Sequence, residues 1–133
     1  MSECIFCAPR RSRIFNNIIF ENGHAIVVPD NFPASKGHLL IIPKEHFKDW
    51  FETPQVVQEG MQSLLRQAHS FLVQQYNPDG FNIGANCGEA AGQTVFHLHY
   101  HIIPRYLNDH PNPAGGIRHA VEYVETGTTK NLQ

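Results

Sequence analysis

From His97 to Ile103 the chain reads His-Leu-His-Tyr-His-Ile-Ile, with histidine and apolar residues in strict alternation. A period of two is the mark of an extended strand, so His97, His99 and His101 share one face and Leu98, Tyr100 and Ile102 share the other. Residues two apart on a strand lie about 6.5 to 7 Å from each other, which spreads the three imidazoles over roughly 13 Å. The apolar face binds this strand to a core, so packing and chemistry fall on opposite sides.

Three uses fit such a comb of imidazoles. The histidines can be half-buried groups satisfied by hydrogen bonds. They can hold a metal, although strand neighbours splay apart and a metal would recruit a further ligand from elsewhere. Or one imidazole can attack phosphorus while its neighbours and backbone donors hold the charged oxygens. The preceding segment, Phe81 to Val95, favours the third use. It is strand-like to Ala85, then rich in Gly and Ala through Gly88, Ala90, Ala91 and Gly92, where backbone can approach a ligand closely. Asn86, Gln93 and Thr94 add neutral hydrogen-bonding groups suited to an oxyanion.

These residues resemble the signature of the histidine triad family of nucleotide hydrolases and transferases. The resemblance extends to Asp30-Asn31-Phe32-Pro33 and to Lys36 through His46, and covers about Cys4 to Arg105 with its spacing intact. It implies that His99 is the nucleophile that attacks an α-phosphorus and forms a nucleotidyl-histidine intermediate. Imidazole titrates near pH 6.5 in general, so a neutral ring nitrogen is available to attack near neutral pH. The other ring nitrogen then donates to a backbone carbonyl, expected from the Gly/Ala loop. His101 is expected at the α-phosphate and leaving group, His38 in the histidine network behind the nucleophile, Asn86, Gln93 and Thr94 on phosphate oxygens, and Asp30 on the ribose hydroxyls. Asp30 also suits a turn ahead of Asn31 and Pro33, and His38 a plain strand entry after Gly37. Val28, Asn31 and Phe32 flank Asp30 and are candidate walls for the base.

Cys4-Ile5-Phe6-Cys7 is a C-x-x-C, which serves either redox chemistry or half of a zinc site. There is no second C-x-x-C, and Cys87 is the one other cysteine. The zinc-binding branch of the family implies that His46 and His97 complete a structural zinc tetrahedron with Cys4 and Cys7, which takes His97 out of the chemistry. The other readings are two free thiols in a reducing compartment, with His46 as a helix-start residue.

At 133 residues the chain makes one domain, expected as residues 1–133 with a core at about 4–105 and a tail at 106–133. Ten basic against twelve acidic residues give a net charge of −2, which speaks against bulk electrostatic binding of nucleic acid. With no apolar run of membrane-spanning length and no leader pattern, the expectation is a soluble cytoplasmic protein without membrane partners. Its partners are a small-molecule nucleotide and, from the resemblance, a second copy in a homodimer.

The expected fold is α+β: a five-stranded, mainly antiparallel sheet with one long and one short helix. Strands are read at 18–21 and 25–28 around an Asn22-Gly23 turn, then at 39–42, 81–85 and 97–103. Thr53-Pro54 is read as the start of the long helix, with Val56, Val57, Met61, Leu64, Leu65, Ala68, Phe71 and Leu72 at helical spacing until Asn77-Pro78-Asp79-Gly80. Arg10, Arg11 and Arg13 read as a solvated surface cluster. The Pro/Gly/Asn-rich segment from Leu107 is expected to cover the pocket or cross a dimer interface, with Arg118 a candidate for outer phosphates, and 126–133 to be poorly ordered. Three functions stay open: a hydrolase of dinucleoside polyphosphates or nucleoside phosphoramidates, a nucleotidyltransferase or phosphorylase, and a nucleotide-binding partner protein.

Overall fold

A computed structural model describes residues 4–121, together with the backbone of 124–125 and 128–129. Alternation within two strands, one buried throughout and one buried up to its last residue, sets its layers. In β2 (Ala25–Pro29) and β3 (Leu39–Pro43), Ala25, Val27, Leu39 and Ile41 join one apolar cluster while Ile26, Val28, Leu40 and Ile42 join another. Both faces of the sheet are therefore covered, and the period-two pattern sorts the residues between them. β1 (Phe20–Glu21), β4 (Gly80–Gly84) and β5 (Tyr100–Arg105) complete an antiparallel sheet in the order β1-β2-β3-β5-β4. The five-stranded α+β expectation holds, including a short helix, α1 (Ala8–Ile14), and a long one, α2 (Gln55–Tyr76).

α2 covers the first face with Val57, Met61, Leu64, Ala68 and Leu72, as its spacing predicts, but Val56 is 57 % exposed. Thr53 does not cap it: Pro54 is the N-cap, and the Thr53 hydroxyl instead donates to the Asp49 carbonyl at 2.8 Å. Asp49 spends its carboxylate on the amides of Phe51 and Glu52, so the turn before α2 caps itself. Asn77 ends the helix in the left-handed region at φ 46°, and Pro78 prevents its continuation. Leu64 lies fully buried at the centre of this face. Leu64→Ala is expected to cost about 3 kcal/mol, read as a lower urea midpoint with an unchanged slope.

The second face carries α1 and the cysteine knuckle, with Phe6 and Phe15 against Ile26, Val28, Leu40 and Ile42. The Asn22-Gly23 turn forms as expected, held by the Asn22 side chain, which accepts from the amides of His24 and Ala25. The basic cluster lies on α1, where Arg11 also reaches the Lys44 carbonyl at 3.4 Å. Regular pairing of the histidine strand begins at Tyr100, not at His97. Tyr100 pairs with Ile41, and beyond that point the chain leaves β3, with the Leu98 amide donating to the Phe47 carbonyl at 2.7 Å. Alternation persists through the departure: Leu98, Tyr100 and Ile102 still pack on the α2 side. After β5, Arg105 forms a two-pronged pair with Asp109 that pins the next turn. The following segment holds helical turns at Pro113–Gly115 and Ile117–Ala120 and a two-stranded pair at 124–125 and 128–129. The expectation for 126–133 otherwise lies outside the described residues. None of the described helices is long and apolar enough to cross a membrane.

Candidate active site and metal cluster

The hydrogen-bond partners of each imidazole decide where its proton sits. A carbonyl can only accept, so the ring nitrogen facing it carries the proton and the other nitrogen keeps its lone pair. For His99, Nδ1–H donates to the His97 carbonyl at 3.0 Å, which leaves Nε2 free to attack. The carbonyl comes from the histidine strand itself, not from the Gly/Ala loop as expected, because the chain bends off the sheet between His97 and Tyr100 and turns the 97 carbonyl inward.

His38 carries the opposite assignment. The Ala34 amide donates to His38 Nδ1 at 2.9 Å, so the proton is on Nε2. That proton points at His101 Nδ1, 2.9 Å away, with Asp30 Oδ2 at 3.4 Å from the same nitrogen. His101 must then hold its own proton on Nε2, the atom left to face a ligand. Gly37 delivers His38 to this position: it adopts φ +95°, and a Cβ there would lie 2.9 Å from the Tyr76 ring. Asp30 takes the turn-forming part expected of it. One oxygen accepts from the Phe32 amide in a turn at 2.8 Å, and the other faces His38 and His101.

Burial, joined by the neighbouring His99 and His38, pushes the pKa of His101 down to about 4, against the opposing pull of Asp30. Burial lowers that of His38 as well. Above pH 6.5 both folded and unfolded imidazoles are neutral and the fold keeps its full stability. As pH falls below 6.5 the unfolded chain takes up a proton that folded His101 refuses until about pH 4, so stability drops through that window and levels off beneath it. The expected loss attributable to His101 is on the order of 3 kcal/mol. Urea melts at pH 7 and pH 4.5 check it, since His101→Gln must shrink the difference.

The Gly/Ala loop closes on itself through Gln93. Its Oε1 accepts from the Gly88 amide at 2.8 Å, and its Nε2 donates to the carbonyls of Lys48 and Val95 at 2.6 and 3.1 Å. Gln93 is 2 % exposed, and in this arrangement its amide is committed to the loop and not to a phosphate. Asn86 and Thr94, on either side, are exposed. Val28 is buried in the sheet while Phe32 is 90 % exposed, so of the expected base walls only Asn31 and Phe32 face solvent. Arg118 is exposed on its helical turn, without an ion pair among the described residues.

A second group gathers Cys4, Cys7, His46 and His97, whose ligand atoms lie within 4.8 Å of one another. His97 is fully buried, donates Nε2–H to the Pro43 carbonyl at 2.9 Å, and so presents a bare Nδ1 to Cys4 Sγ at 3.3 Å and Cys7 Sγ at 3.7 Å. His46 Nδ1 lies 3.4 Å from Cys7 Sγ. Sulfur and nitrogen ligands of a tetrahedral zinc stand about 3.6 Å apart, given their usual bond lengths. Burial and the adjacent Cys4 push the Cys7 thiol up, and burial holds His97 to about 4. Two neighbouring sulfurs beside the bare nitrogen of a buried imidazole and a second histidine form a donor set that a dication satisfies. The residues fit a zinc.

Asp30, His38 and His101 also cluster within 4.8 Å, but their protons argue otherwise. A metal on His38 Nε2 would force the ring proton onto Nδ1, against the Ala34 amide that now donates to it. What joins them is the hydrogen bond from His38 to His101, with Asp30 Oδ2 beside it at 3.4 Å from His38 Nε2. Sequence reasoning also misses Phe6, whose ring packs 5.3 Å from that of His99; its signal was a bulky apolar residue placed between the two cysteines.

A family model described as the HIT domain matches residues 11–108. The chain belongs to the HIT family. It is 42 % identical over 105 residues to an uncharacterized HIT-like protein of Mycoplasma genitalium, covering 79 % of this chain and 74 % of that one. Against the adenylylsulfatase HINT3 of Arabidopsis thaliana it is 38 % identical over 108 residues, 81 % of this chain and 55 % of the relative. A crystal structure of a zinc-bound histidine triad family protein from Mycobacterium smegmatis superposes with a TM-score of 0.71 at 34 % identity, covering 81 % and 78 %. The HIT family includes nucleotide hydrolases, and the fold and site of this chain are consistent with nucleotide hydrolase or transferase chemistry.

Proposed function

We propose that this HIT protein hydrolyses nucleotides at the α-phosphorus through a covalent nucleotidyl-His99 intermediate. The observation that carries the reading is the Nδ1–H of His99 on the His97 carbonyl, which leaves Nε2 as an unprotonated nucleophile. In the first step a bond forms from Nε2 to phosphorus and the bond from phosphorus to the leaving group breaks, the electron pair departing with that group. The His97 carbonyl stabilises the cationic ring that results. His101, neutral with its proton on Nε2, supplies a hydrogen bond to the departing oxygen. In the second step water attacks phosphorus, releases its proton to solvent, and returns the P–N electron pair to a neutral ring.

Leaving groups that depart as stable anions suit a neutral His101. A polyphosphate end of a dinucleoside polyphosphate is one, and sulfate is another, in keeping with the adenylylsulfatase among the relatives. Asp30 orients the ribose through its hydroxyls, Asn86 and Thr94 meet phosphate oxygens, and Gln93 acts by holding their loop. Zinc in the Cys4, Cys7, His46 and His97 cluster is structural: it ties the N-terminal knuckle to the start of the histidine strand. The homodimer forms on β4, which pairs only with β5 among the described residues and leaves Ile83 47 % exposed beside a cavity of about 340 Å³ under α2. Sedimentation checks that assembly.

The test is a quench of the protein during turnover of a radiolabelled diadenosine polyphosphate and, separately, of adenylyl sulfate, followed by peptide mapping. An acid-labile label on the peptide that carries His99 supports the reading. Turnover with label on no histidine overturns it. Adding inorganic phosphate separates the hydrolase from a phosphorylase, whose product would carry one phosphate more.

A further inference from the structure

Phe6 sits inside the Cys4–Cys7 knuckle, yet its ring serves the other site. It is 7 % exposed and belongs to the apolar cluster beneath the sheet. Its centroid is 5.3 Å from that of His99 with the planes at 82°, and 5.9 Å from that of His97 at 79°. On another side of His99 stands His101, at 5.3 Å and 69°. An imidazole held only by one hydrogen bond still swings about the bond to its ring. Two nearly perpendicular rings, together with the Nδ1–H bond to the His97 carbonyl, remove that freedom. Phe15 backs Phe6 at 5.5 Å, and the cysteines on either side anchor its backbone to His97 and His46 through the ligand cluster.

We infer that Phe6 is a positioning residue for the nucleophile: the cysteine knuckle carries its ring against His99 and holds the attacking nitrogen on line, so that the metal cluster and the nucleotide site act as one unit. The inference rests on the reading of His99 as nucleophile and of the cluster as a zinc site. An attacking atom displaced by about an ångström costs on the order of a hundredfold in rate, which makes such a wall worth a rate effect with little change in binding.

Phe6→Leu tests it in the zinc-loaded, full-length protein. Nitrogen-15 spectra of the histidine rings should show His99 passing from a single Nδ1–H form to exchange-broadened signals, while zinc stays at one per chain. The kcat should fall at least tenfold with KM within threefold, and Phe6→Tyr, which keeps the ring, should restore both. Removing zinc from the unaltered chain should broaden the same His99 signals. Unchanged His99 signals and kcat in Phe6→Leu would overturn the inference, as would a raised KM at constant kcat, which makes Phe6 a wall of the nucleotide pocket. Phe6→Met repeats the measurement should the leucine variant not fold. Failure of the nucleophile reading shows elsewhere, as turnover surviving His99→Ala, whereas the ring spectra need no turnover.

Discussion

His99→Ala is expected to lower kcat by about 10⁴- to 10⁶-fold and to leave nucleotide affinity within a few-fold. The magnitude follows from what the substitution removes. Without a nucleophile the reaction must proceed by direct attack of water, and only the loop, His101 and substrate positioning remain to assist. Binding survives because Asp30 and the Gly/Ala loop are untouched, and Asp30 is oriented by the Phe32 amide independently of His99. His101→Ala should cost less, about a hundredfold, since it removes one hydrogen-bond donor and leaves the attacking atom in place. Steady-state turnover and equilibrium titration with a non-hydrolysable nucleotide measure the two halves. A loss in His99→Ala of less than tenfold would remove it as nucleophile.

Stripping zinc is expected to produce the largest stability change. A ligand present at a thousand times its Kd adds about 4 kcal/mol to the folded state, which in a chain of this size corresponds to a Tm lower by roughly 10–20 °C after chelation. The cluster joins the N-terminal knuckle to the start of the histidine strand, across a sequence separation of 93 from Cys4 to His97, so its loss frees Phe6 and Phe15 from the second face of the sheet. His46→Ala should lose the metal and the stability together while keeping the Nε2–H of His97 on the Pro43 carbonyl. Metal analysis beside thermal melts with and without chelator reads the outcome. Protein that binds no zinc, or melts identically once it is removed, would set the cluster aside as a metal site.

Much of this was legible along the chain because it rests on local periodicity. Alternation sorted Leu98, Tyr100 and Ile102 from His99 and His101, and helical spacing identified the buried face of α2 apart from Val56. What local pattern could not show was where each polar group finds its partner. Thr53 has the chemistry of a cap, but Asp49 was already occupying the turn and drew the hydroxyl to its own carbonyl. Gln93 has the chemistry of a phosphate ligand, yet lies where three backbone groups of its own loop and of Lys48 absorb its amide. A side chain's donors and acceptors are known from its name, while their commitments depend on residues distant in the chain.

The sequence by itself determined the α+β sheet, the apolar side of the histidine strand, the family, and the residues that could attack, bind and ligate, because spacing and side-chain type are properties of the chain alone. Only the tertiary structure decided which protonation form each histidine takes. His97, His99 and His101 are alike in pattern, but the carbonyls of Pro43 and His97 and the Nε2–H of His38 meet them differently, so one offers Nδ1, one offers Nε2 and one offers a proton. The physical reason is that an imidazole has a single proton for two nitrogens, and its position is set by whichever partner the fold brings to either edge of the ring.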